Sequence, residues 1–276
     1  MRRWLGDSKR GSIPVNYRCG RDASSPMSVP PYFFGVYHWR ERLRRIAVSA
    51  LLLVASVVGF RRGRRAVRAV AVVVASGALY RGGDAVRRLV SPVPWALDRA
   101  KYDGLASILP LSDADRVLDV GCGSGRSLVG LAPHLPDDCL VVGLDVFDDR
   151  VILGNGPQLA RRNGARAGID ASPVAGDASR LPLRDGAFDV VTACRVAHDV
   201  PEDRRAAAFD ELRRVCAPDG AVGLLELPIT PDGVTDYEAY WRRCLADAGL
   251  RVERLVRIER PRRPGKPYVA IAATPR

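Results

Sequence analysis

The sequence lacks the cysteine patterns that announce metal centres or disulfide scaffolds. Its six cysteines (Cys19, Cys122, Cys139, Cys194, Cys216 and Cys244) contain no CxxC pair and make no Cys/His cluster at metal-ligand spacing. Neither a zinc site nor a disulfide framework is expected, and a reducing compartment is the simpler setting. No uncharged run reaches the roughly 20 residues that cross a hydrocarbon core outright. The first apolar run begins well inside the chain and no small-residue cleavage site follows it, so a secretory signal peptide is not expected. No internal repeat is present. With 276 residues, 27% charged and 47% hydrophobic, the chain has room for one full α/β domain with an appendage, and not for two large domains.

Acids are also in short supply. Lys and Arg number 43 against 31 Asp and Glu, a formal net charge of +12. The excess sits in arginine clusters at positions 40–45, 61–68 and 81–88, whereas residues 103–203 mix both signs. These clusters flank apolar runs instead of forming an aromatic-studded polar face, which points to a membrane surface and away from nucleic acid. Residues 1–31 carry Gly, Ser, Pro and Arg without apolar periodicity, and a disordered tail is expected there; Met27 is a second candidate for the first residue. Residues 32–91 form a separate segment. Tyr32, Phe33, Phe34, Tyr37 and Trp39 resemble an interfacial belt, and the uncharged runs Ile46 to Phe60 and Ala69 to Tyr80 follow. Three arrangements compete: a transmembrane hairpin with snorkelling arginines, a re-entrant or interfacial helix pair, and a buried pair in a soluble protein, for which a chain of this size offers little to pack against. Membrane association through residues 46–80 is the expectation.

From position 92 to 276 short β-branched runs alternate with helical stretches. Strands are predicted at 116–120, 140–144, 172–175, 188–193, 221–227, 255–258 and 268–273, and helices at 95–109, 126–132, 156–167, 202–215 and 235–248. This alternation implies βαβ units and an α/β domain with a mainly parallel sheet.

The chemistry-bearing motif begins at the first of these strands. Val117-Leu118-Asp119-Val120 runs into Gly121-Cys122-Gly123-Ser124-Gly125, and a helix follows. Glycines here let backbone approach a ligand, and the helix N-terminus offers free N–H groups, so a nucleotide-type site is expected at the mouth of the sheet. A tight turn without a ligand is the plain alternative. A dinucleotide fingerprint, GxGxxG, needs a third glycine where Arg126 stands, so the spacing is GxGxG. Cys122 reads as a small residue in the turn, not as a nucleophile.

On these residues the chain resembles the class I S-adenosylmethionine-dependent methyltransferases, in the small-molecule branch of ubiquinone and menaquinone biosynthesis. The resemblance implies a Rossmann-like seven-stranded fold and S-adenosylmethionine as cofactor, its methionine portion held by Asp119 and the loop Gly121, Cys122, Gly123 and Gly125. Three further matches follow in order. Asp145, after Val141-Val142-Gly143-Leu144, would accept both ribose hydroxyls, with Val146 beside it. Asp177, after Val174-Ala175-Gly176, would read the adenine edge together with the backbone of Ala178. Leu181-Pro182-Leu183 and Asp185 to Val191 match the approach to the fourth strand. Each aspartate alone reads equally well as a surface or turn residue, and the joint occurrence carries the argument. Tyr102 would lie on the helix that covers the cofactor, or simply in the core.

Beyond the fourth strand, Arg195 and Val196 would pack on the cofactor. His198 is the candidate catalytic residue, as a general base or an acceptor-orienting group; a structural histidine closing the loop is the equal alternative. Asp199 reads as a cap for the helix at Glu202, and Glu226 as a strand-end residue that touches substrate or faces solvent at the rim. The link from Phe147 to Gly156 is longer than the family's and ends in Gly-Asn-Gly, an ordered loop near the adenosine. The Asn/Asp-Pro-Pro-aromatic pattern of amino-group methyltransferases is absent. The sequence thus predicts a membrane-anchored methyltransferase whose catalytic domain faces the cytoplasm and whose acceptor is a small or lipid-soluble molecule. A non-catalytic cofactor sensor or scaffold is the alternative; no metal is called for.

Overall fold

The computed structural model describes residues 32–91, 93–229, 231, 234–260 and 265–276. The tail expected over 1–31 lies outside them. Helix α1 (Trp39–Arg62) and helix α2 (Arg65–Val90) form an antiparallel hairpin, joined by a tight turn at Gly63. Their 24 and 26 residues make rods of about 36 and 39 Å at 1.5 Å per residue. Both are long and apolar enough to cross a membrane.

The hairpin is built from small residues within and large aliphatics without. Ser49 and Ser56 of α1 and Ala71, Ala78 and Ala85 of α2 are its buried positions. Seven-residue spacing keeps each set on one seam of its helix. A methyl group added at Gly82 would lie 2.9 Å from Ser49 Cβ, so the backbone of α2 packs directly against the Ser49 side chain there. Leu51, Val54, Val70, Val73 and Leu79 point outward, 62–72% exposed. That is the reverse of a water-soluble hairpin, where the apolar stripe faces the partner.

The domain proper is a seven-stranded sheet in the order β3-β2-β1-β4-β5-β7-β6. Its strands are β1 (Arg116–Val120), β2 (Leu140–Asp145), β3 (Ala171–Ala175), β4 (Phe188–Cys194), β5 (Cys216–Glu226), β6 (Leu250–Ile258) and β7 (Tyr268–Pro275). The first five are parallel; β7 inserts antiparallel between β5 and β6. Helices α3 (Ala100–Ala106), α4 (Arg126–Leu131), α5 (Pro157–Arg166), α6 (Glu202–Val215) and α7 (Tyr237–Asp247) cover the faces. The central strands β1 and β4 are buried at every residue but Arg116 and Asp189, as a parallel sheet covered on both faces requires.

The predicted elements are present, with three adjustments. The helix predicted over 95–109 is reduced to Ala100–Ala106, because the chain around Pro94 and Trp95 is committed to a turn and to pairing with Phe34. Strand β5 begins at Cys216, opposite Phe188 and five residues before the predicted start, and Pro218-Asp219-Gly220 lie in a bulge within it. Strand β6 starts at Leu250, five residues earlier than its apolar pattern indicates.

Residues Tyr32 to His38, ahead of the hairpin, are woven into the α/β domain. Phe34 is fully buried. Its N–H donates to the Pro94 carbonyl at 2.7 Å, and the Leu153 N–H donates to the carbonyl of Val36. The His38 N–H reaches Val151 O at 2.6 Å, and Trp39 Nε1 donates to Asp149 O at 2.9 Å. This segment acts as a strap over the loop 147–156 and connects the hairpin to the ligand edge of the sheet.

Candidate cofactor site

The glycine loop sits where β1 and β4 diverge, at the carboxyl edge of the sheet. Gly121, Gly123 and Gly125 all take positive φ (76°, 53° and 83°), a region that a side chain disfavours. At Gly121 the restriction is also steric, since an added Cβ would lie 2.3 Å from Val196 Cγ2. The turn is therefore held against the loop after β4, and both form walls of one cavity of about 430 Å³.

Among the predicted site residues, Tyr102, Gly121, Cys122, Gly123, Asp145, Val146, Asp177, Ala178 and Arg195 line that cavity. Asp119, Gly125 and His198 do not. Asp119 is fully buried beneath the loop, bonded to Ser127 Oγ and, at 2.8 Å, to Thr192 Oγ1. Burial pushes its carboxyl up to about 6, against the pull of these two hydroxyls. Gly125 opens α4 and packs on Ala160. Cys122 is buried, and burial raises its thiol well above the ordinary value; a reactive thiolate is disfavoured there.

Asp145 ends β2 and its carboxylate organises one side of the cavity. Oδ2 accepts from Gly123 N at 3.0 Å; Oδ1 accepts from Phe147 N at 2.6 Å and from Asn155 Nδ2 at 3.3 Å. Burial raises its pKa, opposed by these donors. Asp177 is held in a turn by Ser179, and Arg204 reaches its other oxygen at 3.3 Å.

His198 lies beside the cavity. Its Nδ1 is 2.7 Å from Glu226 Oε2, and Glu226 is fully buried. Burial alone would lower the imidazole pKa, but the bond to Glu226 and its charge outweigh that and hold it above the usual value. Glu226 also accepts from the N–H groups of Ala197 and Leu227. The expectation that Glu226 faces solvent is corrected: it is fully buried and off the cavity wall, because the loop after β4 folds over it and uses it as an internal anchor. Asp199 is exposed and lies 3.5 Å from His198 Nε2; the α6 N-cap is Pro201, with no side-chain cap.

Sequence reasoning missed the strap. Tyr37 and His38 line the cavity opposite the glycine loop, although seventy or more residues separate them from it in the chain. Asn163 ties the two together, donating to Phe33 O at 2.7 Å and to Ser124 O at 2.8 Å. Asn155 was signalled by the Gly-Asn-Gly turn; it lines the cavity next to Asp145.

Three side-chain atoms are buried on this wall without a partner among the described residues: Asn155 Oδ1, Arg126 Nε and Arg195 Nε. Buried polar atoms are normally satisfied. The Asn155 acceptor, beside Asp145, fits the ribose hydroxyls of S-adenosylmethionine.

Residues 117–220 match the family model described as a methyltransferase domain. The chain carries a methyltransferase domain. It is 30% identical over 173 residues to 27-O-demethylrifamycin SV methyltransferase of Amycolatopsis mediterranei, covering 62% of this chain and 53% of that one. It is 37% identical over 131 residues to a demethylmenaquinone methyltransferase of Roseiflexus castenholzii, covering 48% and 50%. The chain thus spans about half the length of these two relatives. Among solved structures, the [4+2]-cyclase SpnF aligns with a TM-score of 0.52 at 18% identity, over 64% of this chain and 81% of that one. A methyltransferase-like protein of Bacillus halodurans aligns at 0.50 and 20% identity, over 63% and 99%. These two likenesses establish the Rossmann-like methyltransferase fold and not a reaction.

Proposed function

We propose that the protein is a membrane-anchored S-adenosylmethionine-dependent methyltransferase acting on a small, lipid-soluble acceptor. The observation that carries this reading is the single cavity joining the glycine loop, Asp145 and Asp177 to the strap from which the apolar hairpin departs. Relatives named for menaquinone and rifamycin methylation support an aromatic, membrane-compatible acceptor.

The bound cofactor supplies a methyl group already activated by its sulfonium. The protein's task is then to bind, align and exclude water. Asp145 and Asn155 hold the ribose, the Asp177 turn holds the adenine, and the glycine loop with Tyr102 and the backbone after β4 surrounds the methionine portion. Tyr37 and His38 close the mouth against solvent. His198 acts as a positioning residue: through Glu226 it fixes the loop carrying Arg195 and Val196.

The hairpin supports membrane anchoring because its small residues face inward and its aliphatics outward, the packing expected where lipid replaces water. Its uncharged core from Ile46 to Phe60 spans about 22 Å, short of a hydrocarbon core of about 30 Å, so arginines at both ends must snorkel. The catalytic domain is assigned to the cytoplasmic side because Arg40, Arg42, Arg44, Arg45, Arg81, Arg87 and Arg88 at its end of the hairpin outnumber Arg61, Arg62, Arg64, Arg65 and Arg68 at the turn.

The test is turnover. The full chain in detergent, given methyl-labelled S-adenosylmethionine and a membrane lipid extract, is expected to produce S-adenosylhomocysteine and a labelled organic-soluble product. Cofactor binding without turnover on any extract would favour the sensor reading instead.

A further inference from the structure

The cavity carries more positive charge than the methyl donor can use. Arg126 and Arg195 both line it, and each has a buried Nε without a partner. Neither pairs with a carboxylate among the described residues. Arg126 is otherwise held by Ala96 O, at 2.9 Å from Nη1, and by the Phe34 ring, 4.6 Å from its guanidinium carbon. Behind Tyr102 lies Lys101, 3% exposed, with Nζ 5.0 Å from the Tyr102 ring and 5.4 Å from that of Tyr268. Its nearest carboxylate, Asp98, stands 4.0 Å away.

The acids on the cavity wall are occupied elsewhere. Asp145 serves backbone and Asn155, Asp148 pairs with Arg150, Asp177 with Arg204, and Asp199 lies beside His198. Buried charges are retained when something pairs with them. S-adenosylmethionine does not meet that need, because its sulfonium and ammonium outnumber its one carboxylate. Arg195 is furthermore held at φ 61°, in the left-handed region that a side chain of this size rarely adopts. Such strain persists where surrounding structure enforces it, and concentrates at ligand sites.

We infer that the acceptor carries an acidic group, a carboxylate or a phenolate, seated between Arg126 and Arg195 with Lys101 behind them. Tyr37, Val151, Ile152 and Val196 give the same cavity an apolar and aromatic part, so the rest of that acceptor is an apolar ring or chain. This inference rests on the methyltransferase reading for the identity of the second ligand in the cavity. The fork geometry of a guanidinium suits either a carboxylate or a phenolate oxygen.

The experiment compares 2-naphthoate with its neutral isostere 2-naphthamide by calorimetric titration into the full chain in detergent, saturated with S-adenosylhomocysteine. Naphthoate is expected to bind at least tenfold more tightly. R195Q should remove that preference and leave naphthamide affinity unchanged, and R195K should restore part of it, which separates lost charge from a damaged fold. Lys101 adds a pH signature. Burial, then the charge of Arg195, lowers its pKa to about 8, with Asp98 opposing and Arg126 and Cys194 contributing less. Naphthoate affinity should therefore fall as pH rises through about 8, and K101M should flatten that slope. Equal affinities for the two probes, or no binding of either, would overturn the inference. So would an R195Q variant that weakens S-adenosylhomocysteine but keeps the preference for naphthoate, since the cation would then serve the cofactor's carboxylate. Failure of the wild-type chain to bind S-adenosylhomocysteine while preferring naphthoate would sink the methyltransferase reading and leave the anion site standing.

Discussion

Ser124 Oγ donates to the carbonyl of Phe34 at 3.0 Å, joining the glycine loop to a strap that lies 90 residues earlier in the chain. The strap is thus part of the cofactor cavity's wall and the point at which the hairpin is attached to it.

Phe34 is the strap's buried anchor, 0% exposed and stacked with Tyr32. Removing a buried phenylalanine costs about 3 kcal/mol or more. Phe34→Ala is expected to lower thermal stability and to weaken S-adenosylhomocysteine binding at least tenfold, because Tyr37 and His38 lose their support. Calorimetry on the purified variant checks both. Unchanged cofactor affinity would show that the strap is not part of the site.

Gly121 combines a positive φ with a Cβ position only 2.3 Å from Val196. Gly121→Ala adds about 1 kcal/mol of backbone strain and forces the two loops apart. Cofactor affinity should fall at least tenfold. The double variant with Val196→Ala should recover part of the loss, since it relieves the contact while the strain stays. Titration of both variants with S-adenosylhomocysteine reads the difference.

The His198–Glu226 pair has a pH signature. The imidazole pKa is raised in the folded state, so its stabilising contribution is fully present below the unfolded value of about 6.5 and is lost as pH rises through the folded value. Glu226→Gln is expected to cost about 2 kcal/mol near pH 6, with a smaller difference at pH 9. Imidazole NMR should show the His198 titration moved down in the variant. An unmoved titration would show that Glu226 does not set the charge of His198.

The hairpin seam tolerates only small side chains. Ala78→Leu, at 3% exposure, should splay α1 from α2. Liposome flotation of the full chain is expected to survive Ala78→Leu and to drop severalfold when Leu51, Val54, Val70 and Val73 are all changed to Ser. The opposite ranking would show that the exposed aliphatics do not meet lipid.

Much of this was legible in the sequence for a physical reason. The strand-glycine-helix unit and the three aspartates are local patterns: each lies at a strand end, and a parallel sheet brings strand ends to one edge without further information. The strap was not legible. Tyr32 to His38 has the composition of an interfacial belt, and its bonds to Pro94, Val151 and Leu153 are backbone bonds that leave no periodic signature. Glu226 was misplaced for a related reason. Strand periodicity puts it at the edge, but only the path of the 195–198 loop decides whether that edge is covered. The hairpin's length was visible, whereas its inward small residues are recognisable only once the two helices are paired.

The central claim is that the cavity between Gly121 and Asp145 binds S-adenosylmethionine, and calorimetric titration of the full chain with S-adenosylhomocysteine tests it most directly. One saturable site of about micromolar affinity is expected, reduced at least a hundredfold by Asp145→Ala, whose carboxylate organises Gly123, Phe147 and Asn155. No saturable heat from a folded wild-type chain, or equal binding by the Asp145→Ala variant, would contradict it.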